Sequence, residues 1–138
     1  MDNPFLDYPG YLLRRAANSR LAHLGKRLEP LGVKVTEASI LTLIGRNPDI
    51  SQAECGRLLS IQRANLNPII RNLRDRKLVV CTQGQGRTLC LRLTDQGQAL
   101  GVQILQEFEA QEARIFEAVP EHLRPELVPL LRGLYCSE

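Results

Sequence analysis

Arg63, Asn65, Asn67, Arg71 and Arg74 crowd into one short stretch of the chain. These side chains are the types that bond two atoms of a base edge: guanidinium to guanine O6 and N7, carboxamide to adenine N6 and N7. At about 100° per residue, Arg63, Asn67, Arg71 and Arg74 gather on one face of a helix. Leu66, Ile69, Ile70 and Leu73 form a separate apolar stripe. One side is therefore built for burial and the other for contact with a polyanion. Charge along the chain agrees: from Arg57 to Arg92 there are eight Lys/Arg against the single acid Asp75, and from Thr94 onward three Arg against eight acids. The overall charge of only +3 hides this asymmetry, which suits a local nucleic-acid-binding surface.

The elements that must hold this helix are legible on either side. Ser51-Gln-Ala-Glu54 has the form of a capping box, in which the serine caps the first turn and the glutamate returns the bond. The helix it opens is short, because Ser60 and Ile61 lead at once into the basic one. Gly56 lacks a side chain where the next helix must cross closely, as a helix-turn-helix corner requires. Pro68 admits two arrangements: inside a helix that starts at Arg63, where it removes a backbone bond and bends the helix, or at the first turn of a helix that starts near Asn67. Leu78–Thr82 and Thr88–Leu93 flank the glycine-rich Gln83–Arg87 and form a β-hairpin. A turn on Gln85-Gly86 sets Cys81 opposite Cys90 and places Val80, Leu89 and Leu91 on the core face.

Longer helices frame this unit. Tyr11 to Leu31 carries an apolar stripe at Ala17, Leu21, Leu24, Leu28 and Leu31, ended by Pro30 and Gly32. Thr36 is the expected cap of a second helix that breaks at Asn47-Pro48-Asp49. Thr94 caps a helix running to about Val119, with Asp95 in its first turn and Glu107, Glu109 and Glu112 on its solvated side. A last helix carries Leu123, Leu127, Leu130, Leu131 and Leu134, interrupted by Pro125 and Pro129.

Length and composition bound the rest. A chain of 138 residues, 43% hydrophobic and 24% charged, is long enough for one globular domain with a real core. Its N-terminus has no basic start followed by an apolar run, and no apolar stretch could span a bilayer, so a cytoplasmic protein without membrane contact is expected. Cys55, Cys81, Cys90 and Cys136 should stay reduced there. His23 and His122 lie far apart and there is no Cys-x-x-Cys, so neither metal nor cofactor is expected. No nucleophile with a nearby base and no phosphate-binding loop points to an enzyme.

Element order, together with Ile50-Ser-Gln-Ala-Glu54, Leu58-Leu-Ser-Ile-Gln-Arg63, the Leu73–Val79 segment and Leu93-Thr-Asp-Gln-Gly97, resembles the MarR family of winged helix-turn-helix regulators over nearly the whole chain. The resemblance implies a mainly α fold with a small β-hairpin wing. It implies a homodimer in which residues 1–35 and 94–138 form the helical dimerisation region and 36–93 the DNA-binding lobe. It makes Arg63–Arg76 the recognition helix and Arg87 the wing-tip arginine, so that Gln62, Arg63, Asn65, Asn67, Arg71, Arg74 and Arg87 would face double-stranded DNA. It further implies a repressor released by a small molecule, with Tyr11, Arg14, Arg15, Ser19 and His23 within reach of the effector. Three features depart from the family: Gln85 replaces the acid two residues before the wing arginine, in a wing shorter than usual. Lys77 stands where a glycine is common, and Ala64-Asn65 replaces a Ser/Thr pair. Arg63-Ala-Asn65-x-x-Pro68 resembles a branch that includes regulators of aromatic-compound catabolism, which makes an aromatic acid or its thioester the first expectation for the effector.

Two other functions are compatible with parts of this pattern. Cys81 and Cys90, if opposite one another, would form a redox-sensing pair. A winged helix can also serve as a protein-interaction module that never touches DNA, although such a module would need an apolar or acidic face where this chain is basic.

Overall fold

A computed structural model describes residues 1–136. Six α-helices and a three-stranded antiparallel sheet follow in the order α1 (Pro9–Leu28), α2 (Val35–Arg46), β1 (Ile50–Ser51), α3 (Gln52–Leu58), α4 (Arg63–Asp75), β2 (Val79–Gln83), β3 (Leu89–Leu93), α5 (Asp95–Glu117) and α6 (Arg124–Cys136). The sheet order is β1-β3-β2. This is a winged helix-turn-helix set among longer helices. No helix among the described residues is long and apolar enough to cross a membrane.

One continuous core holds these elements. Leu24 and Leu28 of α1, Ile40, Leu41 and Ile44 of α2, Leu66, Ile70 and Leu73 of α4, Leu91 of β3 and Ile104 of α5 are all buried in it. The apolar spacing read in α4 is therefore the stripe that seats the helix, and hydrophobic burial is what fixes its outer face. Two polar ties join α5 to α1. The buried Gln111 donates from Nε2 to the Arg20 carbonyl at 2.6 Å, and Arg27 meets Glu107 at 2.7 Å. Glu107 is thus half-buried in an ion pair and does not belong with Glu109 and Glu112 on the exposed side. At the other end of α5, the Arg124 Nε donates to the Phe116 and Val119 carbonyls, capping the turn into α6.

Several local signals act as expected. Ser51 Oγ accepts from the Glu54 amide, and Thr94 Oγ1 accepts from the Gly97 amide. Glu54 does not complete the capping box, because Arg57 one turn on takes its carboxylate and holds it below its ordinary pKa. Thr36 is not a cap: Lys34, in extended backbone, precedes the helix, and Val35 enters the first turn because it packs against the core. α4 starts at Arg63, so Pro68 lies inside it.

The hairpin register differs from expectation by one residue. Gly84 donates its amide to the Thr88 carbonyl at 2.9 Å, with Gly86 left-handed at φ 70°, and this longer loop pairs Cys81 with Leu91 and Thr82 with Cys90. A one-residue slip turns every side chain of one strand over. Val79 and Cys81 consequently share the core face with Leu91, whereas Val80 is exposed, and so is Leu89, which lies beyond the core on that face. The short β1, pairing Ile50 with Leu91, had no signal of its own in the sequence.

α4 ends on Lys77, a non-glycine residue at φ 60°. The Lys77 amide bonds the Arg74 carbonyl and the Leu78 amide bonds the Leu73 carbonyl, which together make a Schellman turn. Leu78 is buried beside Leu73 in the same core, and Thr94 Oγ1 holds the Lys77 carbonyl at 2.6 Å, so the strained residue is fixed from both sides. Lys77→Gly should stabilise the protein by about 1 kcal/mol, because glycine adopts this conformation without the Cβ penalty. The midpoint of urea unfolding, compared at equal slope, measures it.

Candidate nucleic-acid interface

α3 and α4 meet at Gly56. A Cβ there would stand 2.9 Å from the Ile61 carbonyl oxygen and 3.2 Å from Leu66 Cδ2, so only a glycine lets the two helices cross this closely. The Ile61 amide bonds back to the Gly56 carbonyl at 2.8 Å and closes the corner. Gln62 then adopts extended backbone (φ −65°, ψ 146°) and α4 leaves across α3.

Between α3, α4 and the wing lies an open groove of about 860 Å³. Its floor is apolar, from Ile61, Leu66, Ile70 and Leu89, and its walls carry Arg63, Arg71 and Arg74 from α4 with Arg87 from the hairpin loop. Gln62 and Asn67 line it as well. Six of the seven residues expected to face DNA thus share one groove. Asn65, although exposed, is about 200° round the helix from Arg63 and stands on the opposite flank.

The seven arginines of the segment separate into two groups. Arg57 pairs with Glu54, Arg92 with Asp49 (Nε to Oδ1, 3.1 Å), and Arg76 with Glu37 at 2.8 Å. Arg76 also donates to the Gly32 carbonyl at 2.8 Å, tying the end of α4 to the junction between α1 and α2. Among the described residues, no carboxylate pairs with Arg63, Arg71, Arg74 or Arg87. All four of these line the groove, as does the paired Arg57. Sequence reasoning missed Gln52, at the first position of α3: it lines the groove, and its Nε2 donates to Asn67 Oδ1.

The residues expected near an effector lie elsewhere, along α1. Tyr11, Arg15, Ser19 and His23 form an i, i+4 row, exposed except for half-buried Tyr11. Tyr11 packs on Phe5 with ring centroids 5.5 Å apart, its hydroxyl accepts from Asn3 Nδ2 at 3.1 Å, and the Arg14 guanidinium stands 5.7 Å over its ring.

The cysteines correct one expectation. Cys81 points to the core face and Cys90 to the other, because their strands pair in a register that sets each opposite a different residue. Side chains on opposite faces of a sheet cannot satisfy disulfide geometry, so Cys81 and Cys90 do not close a disulfide in this fold, which disfavours the redox-sensing alternative. Cys55 is fully buried in the core, and burial pushes its thiol pKa up.

A cationic helix seated on a tight helix-turn-helix corner and flanked by an antiparallel wing defines the winged helix-turn-helix class. A family model described as MarR family matches residues 31–87. The HTH-type transcriptional repressor Rv2887 of Mycobacterium tuberculosis is 28% identical over 127 residues, covering 91% of either chain. The same protein, solved in complex with salicylic acid, superposes with a TM-score of 0.73 over 96% of this chain and 97% of that one. The repressor CouR, solved bound to p-coumaroyl-CoA, is 25% identical with a TM-score of 0.88 over 100% of this chain and 99% of CouR. Bound to a 23-mer DNA duplex it gives 0.87 over 98% and 99%. By sequence over residues 31–87, and by fold over nearly its whole length, the chain is similar to MarR-family proteins.

Two outcomes follow for the side chains described. Arg74→Ala should weaken binding to any duplex and flatten the slope of log affinity against log salt by about one, whereas Arg92→Ala, whose guanidinium is held by Asp49, should leave that slope unchanged; fluorescence anisotropy across a salt series reads both. Peroxide treatment of the native protein should produce no Cys81–Cys90 crosslink in non-reducing peptide maps, and Cys55 should react with alkylating reagent only after unfolding.

Proposed function

We infer that the protein is a ligand-responsive transcriptional repressor that binds a near-palindromic operator as a homodimer and is released by an aromatic acid or its coenzyme A thioester. The observation that carries this reading is the groove whose walls hold Arg63, Arg71, Arg74 and Arg87, with no carboxylate on any of them among the described residues. Unpaired guanidinium groups around a shallow groove are an unsatisfied charge that phosphate and base edges complete. Arg63, Asn67 and Gln62 meet bases, while Arg71, Arg74 and the wing's Arg87 hold backbone or minor groove; Asn65, on the opposite flank of α4, is not placed to read them.

Residues 1–35 and 94–138 form the dimerisation region and 36–93 the DNA-binding lobe. Support comes from the apolar side chains that the terminal helices leave exposed, among them Phe5, Leu12, Leu13, Leu130 and Leu134. A second copy would cover them. Twofold pairing then sets the two α4 helices about one DNA turn apart.

For the effector, the complexes of CouR with p-coumaroyl-CoA and of Rv2887 with salicylic acid support an aromatic carboxylate or its thioester. The α1 row of Tyr11, Arg15, Ser19 and His23, with Arg14 beside it, supplies an aromatic ring and two guanidinium groups for an aromatic acid and its anionic end. The protein acts in the cytoplasm as a regulator and catalyses nothing. The basic groove disfavours the interaction-module alternative.

The test is release from DNA. The purified protein should sediment as a dimer and bind an operator selected from random duplexes. p-Coumaroyl-CoA or salicylate should then weaken that binding at least about tenfold, the usual size of an allosteric coupling. A monomer that binds all duplexes alike, or a complex indifferent to every aromatic acid and thioester, would refute the corresponding part.

A further inference from the structure

Gln52 and Asn67 come from different helices, 15 residues apart, and meet at the edge of the groove that both line. The Gln52 Nε2 donates and the Asn67 Oδ1 accepts. A carboxamide has one oxygen that accepts and one nitrogen that donates two hydrogens, and the two ends exchange when the group flips. Engaging the oxygen of Asn67 from α3 therefore decides which end remains for anything entering the groove. With one of that oxygen's two lone pairs committed to α3, the end left wholly free is the Nδ2 amino group, a pure donor. Bidentate recognition of adenine needs both ends at once, oxygen to N6 and nitrogen to N7, whereas a donor alone suits guanine, whose major-groove edge offers only the acceptors N7 and O6.

We propose that Gln52 sets the base preference of this regulator, by holding the Asn67 carboxamide with its oxygen engaged so that its amino group reads an acceptor edge, guanine foremost, at one position of each half-site. Gln52 acts here as a positioning residue. The proposal rests on the DNA-binding reading above. It also depends on the Gly56 crossing, since that brings the first turn of α3 alongside the second turn of α4.

Selection from a randomised duplex pool with the full-length dimer tests it. Native protein should show a guanine preference at one position per half-site. Gln52→Ala should reduce that preference about tenfold, the worth of a well-made base contact, with the thermal unfolding midpoint and salt slope unchanged. Gln52→Glu should reverse it: a carboxylate can only accept, so Asn67 turns its nitrogen inward and its oxygen outward, towards the amino group of adenine or cytosine. The added negative charge lowers affinity for all sequences, so the relative preference at that position is the readout. In an Asn67→Ala background neither Gln52 change should move the preference. Preferences identical in native, Gln52→Ala and Gln52→Glu proteins would overturn the proposal, as would Gln52 effects that persist without Asn67, which would place Gln52 itself on the base. Native protein that enriches no sequence would overturn the repressor reading, a result separable from the other two.

Discussion

Everything on the interface side of this molecule depends on a backbone-to-backbone approach of two short helices. With no side chain at Gly56, the Ile61 carbonyl and the Leu66 methyl groups close against α3, and the corner between the helices becomes rigid. A rigid corner gives Leu66, Ile70 and Leu73 only one way into the core. The orientation of Arg63, Asn67, Arg71 and Arg74 is thereby decided by what lies beneath them. Cationic side chains repel one another, and no interaction among them would assemble the groove. Hydrophobic burial on one face of α4 holds them together on the other.

The ion pairs divide the basic segment into structural and available charge. Arg57 pairs with Glu54 within α3, Arg76 and Arg92 join the end of α4 and β3 to acids of neighbouring segments, and the positive charge of all three is compensated locally. The remaining arginines stay hydrated in the free protein. Partly exposed pairs contribute little stability individually, so their larger effect is on where the field is strongest. Neutralising the periphery concentrates positive potential in the groove between α4 and the wing.

The parts of the fold readable from sequence were those set by neighbours along the chain. Caps at Ser51 and Thr94, the α4 stripe and the Gly56 corner each depend on residues within a few positions, and all appear as expected. The left-handed Lys77 was legible through a family position that usually holds glycine. Non-local contacts escaped. Glu37 and Arg76 are 39 residues apart, and nothing in either stretch announces the pairing. The hairpin was visible as two strands, yet its register turned on one loop bond, Gly84 to Thr88, and that bond decided the fate of two cysteines. Gln52 fell inside a capping segment of which the structure keeps only the serine half, and its local environment gave no hint of a partner on α4. Six of the seven nominated groove residues share the groove because helical periodicity and a basic cluster coincide. Asn65 lies on the far flank because residue type alone does not specify azimuth.

The Arg76 guanidinium has a mechanical consequence. It grips the Gly32 carbonyl at the α1–α2 junction with one nitrogen and Glu37 at the start of α2 with another. Sliding α4 independently of that junction would break both bonds together, while moving the two as a unit breaks neither. The path of least resistance is therefore a rigid rotation that carries the junction along. One side chain thus ties the angle at which α4 presents its arginines to the position of the α1–α2 junction.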